Sequence, residues 1–321
     1  MAKQKIRFNY FEPQLVIEED ELVSWDMKNF LDTILNNKRS FNASFFLGDE
    51  VSDLEWNSCD YDYTNDLYYI QLSKLRSKNI PSRKRINQDK EDINLADDEY
   101  LGEFNLLIYD PQTRVLITQG NFYGLNIKQI ASTLSGLRMK VNELNKETDG
   151  ELPYIVNLAP IIDSNAIEKV MNNEIYRKIT IKGADFNEIA DEELNSDVLS
   201  RSIGALSEVH GVNFEITLSM AKTGKNESLD SEEIRRMIQD VLTLTNDKEL
   251  DVGMHVTSRR DIESSMEYID LLTPKLSSEI VLEVQNRSTI GAEYIFNGFK
   301  EQNYFADGVS MKNKLIRLLP R

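Results

Sequence analysis

An α/β or α+β fold in two parts is what this sequence predicts: a mixed N-terminal sheet domain with a hairpin and a long helix over residues 1–150, then an α/β-layered domain over 151–321. Three observations carry the expectation. Two β-rich runs, Phe104 to Tyr109 and Arg114 to Gln119, flank the turn Asp110-Pro111-Gln112-Thr113, a hairpin signature. Immediately afterwards Ile130, Leu134, Leu137 and Val141 recur at helical spacing. Past the polar stretch Asn145 to Leu152, which contains Gly150 and ends at Pro153, short apolar runs alternate with amphipathic segments. The domain boundary is expected there.

The elements follow in order. Ile6, Phe8 and Tyr10 alternate within Lys5 to Phe11, which predicts an opening strand that Pro13 ends. Ser24 is placed to cap a helix from about Trp25 to Asn36, with Met27, Phe30, Leu31 and Ile34 on one stripe. Asn42 to Leu47 and Asp66 to Leu72 are strand candidates, and Pro81 to Asp98 is a polar loop. Asn126 starts the helix Ile127 to Leu144. In the second half, Tyr154 to Leu158, Ile175 to Ile181, Phe214 to Met220, Leu250 to Thr257 and Glu279 to Val284 are predicted strands. Asn165 to Met171, Asp197 to Val209, Ser231 to Leu244 and Arg260 to Leu272 are predicted helices; Glu232 and Glu233 suit the positive end of theirs.

Composition narrows the function. The 321 residues, 40 % apolar, belong to a folded protein with room for two cores. A net charge of −17 opposes a general coat on DNA or on an anionic membrane, though not a local anion site. Met1 to Tyr10 lacks the apolar core of a signal peptide and no apolar run nears 18 residues, so a cytoplasmic protein without membrane insertion is expected. Cys59 is the lone cysteine; neighbouring Asp60 and Asp62 would raise its pKa, the reverse of an activated nucleophile.

Against this acidic background one segment is basic. Lys74, Arg76, Lys78, Arg83, Lys84 and Arg85 lie in a stretch with no acid between Asp66 and Asp89, leaving 31 Lys and Arg elsewhere against 54 Asp and Glu. Such a loop suits a nucleic acid, DNA or RNA, and Tyr68 and Tyr69 beside it are of a type that stacks on single-stranded bases. Alternatively the acids from Asp89 to Glu99 pair with the loop internally.

Catalytic motifs are incomplete. Asp251 and His255 share a face of one predicted strand, and Glu283 would join them if its strand were a neighbour; such a cluster suits a divalent metal and phosphodiester hydrolysis. Glu283 and Gln285 also resemble the E-x-Q end of a restriction-endonuclease-like core. Lys222-Thr223-Gly224-Lys225 lacks the upstream glycine of a phosphate loop, and no G-x-S-x-G is present. His210, before Gly211, fits a helix C-terminus and needs no catalytic purpose.

The segments DLYYIQLSKLRSKNIPSR and DDEYLGEFNLLIYDPQTRVLITQGNFYG, with the Ile127 helix after them, resemble bacterial proteins of prophages and mobile elements. More loosely, their layout is similar to the KwaB subunit of the Kiwa phage-defence system. The resemblance spans Asp66 to Leu134, about a fifth of the chain. It implies a role in phage–host conflict and contact with DNA or DNA-processing machinery. With no complete catalytic motif in the chain, the expectation is an antiviral-defence accessory protein that binds nucleic acid or a DNA-processing partner without catalysis and without a cofactor, a divalent metal belonging only to the nuclease alternative. A host or defence-system partner protein and homo-oligomerisation are further expectations, with Glu293 to Phe299 and Gly308 to Leu319 offered as edge strands for a partner subunit. A metal-dependent nuclease and an acidic DNA mimic are the alternatives.

Overall fold

Strand β1 (Ala2–Glu18) fixes the architecture, because its 17 residues pair with four partners. The computed structural model describes residues 2–18, 21–76, 78, 80–145, 155–184, 194–207, 213–221, 224, 226–247, 252–285, 290–308 and 310–319. Along β1, residues 2–9 pair with β16 (Ser277–Val284), 7–11 with β10 (Val115–Gly120), 11–15 with β11 (Val156–Pro160) and 14–18 with β2 (Glu21–Ser24). Pro13 therefore does not end the strand. Its carbonyl accepts from Trp25 N–H, and its missing N–H falls in the gap where the β10 ladder has stopped and the β2 ladder has not begun.

The sheet continues from β10 through β9 (Leu101–Asp110), β6 (Leu67–Arg76) and β4 (Glu50–Leu54) to β3 (Ser44–Leu47), with β5 (Asp60–Asp62) also on β6; these pairings are all antiparallel. Helices cover both faces. On one, α1 (Lys28–Asn36) and α2 (Ile127–Leu144) bury Leu31, Ile34, Leu134 and Leu137 against Leu72, Leu107 and Leu116. On the other, α6 (Ala292–Phe299), a π-turn over Lys300–Tyr304 and α7 (Met311–Leu318) bury Phe296, Phe299, Tyr304 and Leu315 against Phe8, Leu106, Ile108 and Ile117. Because both faces are covered, the second part of β9, residues 105–110, is buried continuously rather than alternately.

The chain forms two compact units, Met1–Ile161 with Leu276–Arg321, and Ile162–Lys275. The boundary expected near residue 150 falls at residues 146–154, outside those described; the contacts divide the chain after Ile161 and again before Leu276, since β11 and β16 both join β1. The C-terminal segments expected to add edge strands are instead α6 and α7, whose apolar faces are already used inside this unit. The helix expected from Trp25 begins at Lys28 with Met27 as cap, while Ser24 sits in β2.

The second unit is an α+β layer of its own. Its antiparallel sheet runs β13 (Asn213–Ser219), β12 (Ile175–Ala184), β14 (Val252–Arg259), β15 (Glu267–Asp270). Helices α3 (Ala166–Met171), α4 (Asp197–Ser207) and α5 (Ser231–Asp247) supply Val170, Leu199, Ile203, Met237, Ile238 and Val241 to a core with Ile179, Ile181, Met254 and Val256. The helix expected over Arg260 to Leu272 is absent. Asp261 Oδ1 accepts from the N–H groups of Glu263 and Ser264, making a turn, and residues 267–270 then pair with β14. Thus the fold class is α+β, built on antiparallel sheets. Among the described residues, no helix is long and apolar enough to cross a membrane.

One buried carboxylate joins the hairpin to the C-terminal segment. Asp110, fully buried, accepts from Gln112 N–H (2.8 Å) and Thr113 N–H (3.4 Å) through Oδ1; its Oδ2 accepts from Tyr304 hydroxyl (2.5 Å) and lies 3.4 Å from Lys312 Nζ. Burial and the Asp110 carboxylate hold the Tyr304 hydroxyl well above its usual pKa, so it stays a donor. Asp110→Ala strips the buried Tyr304 hydroxyl and the half-buried Lys312 ammonium of their shared partner and should lower stability in urea unfolding by about 3 kcal/mol. Asp110→Asn, which keeps the turn acceptor, should lose less. A loss below about 1 kcal/mol in the alanine variant, the ordinary effect of a point change, would show that this carboxylate does not tie the segments together.

Candidate nucleic-acid interface

The basic residues emerge from the end of β6. Residues 70, 72, 74 and 76 share one face; Ile70 and Leu72 lie in the core under α2, and Lys74 and Arg76 continue that face past the start of the helix. The first turn of α2 closes over them. Asn126 and Gln129 form a reciprocal capping box, and Gln129 Nε2 donates to Glu50 Oε2 at 2.9 Å. Glu50 Oε1 in turn lies 2.9 Å from Lys74 Nζ. Lys74, together with the Gln129 hydrogen bond, holds the Glu50 carboxyl below its usual pKa, despite some burial.

Past Arg76, Lys78 and residues 81–91 belong to an exposed arm. Lys78 Nζ meets Asp49 at 2.8 Å. Then β7 (Arg83–Lys84) pairs with β8 (Lys90–Glu91) in a small hairpin whose residues 81–91 are all exposed. Arg83 Nε contacts Glu91 at 2.8 Å, and a turn from Arg85 to Gln88 places Ile86 at the tip. The six basic residues divide evenly: Lys74, Lys78 and Arg83 are paired with acids, whereas Arg76, Lys84 and Arg85 have no ion pair among the described residues. Of the acids from Asp89 to Glu99, Glu91 is the one that pairs with this arm among the described residues. Lys84 stands directly opposite Lys90. Like charges facing each other across a two-stranded hairpin repel, so the arm is arranged at a cost that an arriving anion would remove. Arg76 Nε is buried without a hydrogen-bond partner, and its side chain lines an open concavity of about 400 Å³ with Leu47, Asp49, Glu50 and Lys78.

Tyr68 and Tyr69 are not available for stacking. Tyr68 is buried, its hydroxyl donating to Asp32 at 2.6 Å, and Tyr69 packs on Phe296 with centroids 4.6 Å apart. Exposed aromatic rings at this end of the sheet include, beside Phe46 on β3 and Tyr100 just before β9, those of Phe122 and Tyr123, in the turn between β10 and α2. Their signal in the sequence is the tetrapeptide Asn121-Phe122-Tyr123-Gly124, two adjacent rings in a turn, where no periodic core position calls for them.

The metal constellation does not assemble from neighbouring strands. Asp251 lies outside the described residues. His255 sits on β14 opposite Asp270, 3.9 Å from its Oδ2, with its ring stacked on Tyr268 at 5.2 Å. Glu283 is exposed on β16, opposite Lys3 of β1 in the other sheet. The pairing that would have joined His255 and Glu283 is therefore absent from the topology, and no group of three or more metal-ligating side chains occurs among the described residues. Of the TGK fragment, Lys222, Thr223 and Lys225 lie outside the described residues, as does His210. Cys59 is buried, and that burial above all pushes its pKa up to about 12; Sγ donates to Glu55 carbonyl. Both features disfavour the thiolate, the reactive form.

A model for a family of unknown function, DUF6731, matches residues 1–314, and the chain belongs to that family. No curated protein matches the chain.

The Glu50–Lys74 pair makes a pH-dependent contribution to stability. The folded carboxyl titrates below the usual 4.5, so the stabilisation is complete above that value and is lost as pH falls through the lower folded one. The gap in urea midpoint between the wild type and Glu50→Gln should therefore be full at pH 7 and close as pH drops below 4.5. A gap that is constant with pH would show that the pair contributes through packing alone.

Proposed function

We propose that this DUF6731 member is a non-catalytic binding protein that takes nucleic acid on the basic arm from Lys74 to Lys90. The supporting observation is the unneutralised charge of that arm: Lys84 faces Lys90, Arg85 follows at the turn, and none of the three has an acidic partner among the described residues. Phosphates would supply the missing anions, and each contact would release condensed counterions. The acidic remainder of the protein repels a polyanion and so confines it to the arm. The cellular setting we propose, antiviral defence with a DNA-processing partner, rests on the resemblance of residues 66–134 to prophage-borne and KwaB-like proteins.

Replacing Lys84 and Arg85 with Ala tests the reading. Affinity for an oligonucleotide should fall at low salt, and the log–log salt slope should flatten by about 1.4 if both residues contact a single strand. Melting temperature should hold, because both side chains are exposed. An unchanged slope and affinity would remove the arm from any nucleic-acid interface.

A further inference from the structure

We infer that the nucleic acid is single-stranded, its bases stacking on a platform formed by Phe122 and Tyr123; this rests on the reading that the arm takes nucleic acid. Phe122 is 93 % exposed and Tyr123 62 %, and their rings meet edge to face at 5.2 Å. Rings so exposed contribute little to either core, and leaving them in water is unfavourable unless something covers them.

The turn that carries them is held in place. Asn121 Nδ2 donates to Phe104 carbonyl at 2.9 Å, and Asn121 Oδ1 accepts from Tyr123 N–H at 3.1 Å. Asn105, buried, accepts from Leu125 N–H at 2.7 Å and donates to Gln119 carbonyl at 3.0 Å. Gly124 lies so close to Asn105 that a Cβ would fall 2.3 Å from its Oδ1, so no larger residue fits unless Asn105 moves. A backbone fixed this way presents its rings with little ordering left to lose on binding.

The platform is next to the basic strand end. Asn121 Nδ2 also reaches Glu103 Oε2 at 3.4 Å; Glu103 is directly opposite Lys74, and Arg76 lies two residues further along β6. A backbone tracking Arg76 and the arm would thus leave its bases within reach of the rings. A duplex keeps its base faces stacked inside, whereas a single strand offers them, and stacking tolerates any base. An acidic peptide with aliphatic anchors would meet the same charge, but it has no ring faces to stack.

The test compares oligo-dT with an abasic oligonucleotide of equal length, which has the same backbone charge and no bases, and with a blunt duplex. The wild type should prefer oligo-dT. Phe122→Ala/Tyr123→Ala should weaken oligo-dT binding by about tenfold or more. It should leave the abasic strand and the duplex within about twofold, since the phosphate contacts of the arm remain. Phe122→Trp should retain the oligo-dT affinity and show fluorescence quenched by added oligo-dT but not by the abasic strand. A wild type that binds oligo-dT and abasic strand equally, or a double-alanine variant that keeps its oligo-dT affinity, overturns the platform while leaving the arm in place. A wild type that binds none of the three overturns the arm as well.

Discussion

Hydrogen bonding along β1 is the constraint from which the rest of the first unit follows. One strand of 17 residues serves four partners, three of them from distant parts of the chain, so the neighbouring β2, the β9–β10 hairpin, the strand after α2 and the C-terminal return all depend on it. Leu276 N–H donates to Ile161 carbonyl at 2.7 Å, so the chain returns to the sheet beside the point where it left, with the second unit inserted between. Fixing β1 against β10 fixes β9 and β6 in turn, and these strands carry the Phe122 turn and the basic arm at their ends.

Rigid strands and an exposed arm divide the labour at that end of the sheet. Glu50, Gln129 and Lys74 form a chain of 2.9 Å contacts that locks the first turn of α2 to β4 and β6. Lys74 therefore belongs to the scaffold as much as to any interface. Lys84 and Arg85 stand free of such contacts, at a position where each side chain is in water and each charge acts at full range in low salt. In a protein of net charge −17, a few uncommitted cations on one arm would define where an anion settles more sharply than the same cations on a basic protein.

Much of this was legible in the sequence where local signals agreed. The Asp-Pro turn, the α2 stripe and the acidic first turn of α5 each combined periodicity with a turn or a cap, and each stands where it was expected. Failures came where tertiary contacts overrode a local rule. Pro13 breaks a ladder only if a partner needs its N–H, and here none does. Residues 260–272 hold apolar groups near helical spacing, yet Asp261 closes a turn and Tyr268 and Ile269 join β14. The apolar C-terminal segments carried no strand alternation, and their burial against β9 and β10 depends on a sheet assembled from elsewhere. Tyr68 and Tyr69 were adjacent to the cations in sequence, but a strand sends neighbours to opposite faces, and both faces of β6 are covered.

The arm and the aromatic turn make one interface in this account, and photocrosslinking reads its location directly. An oligonucleotide bearing bromodeoxyuridine, irradiated with the full-length protein and mapped by peptide mass, should form adducts at Phe122 or Tyr123 and in the peptides that carry Arg83 to Lys90. Adducts confined to residues 162–275, or spread over the surface without either segment, would contradict it.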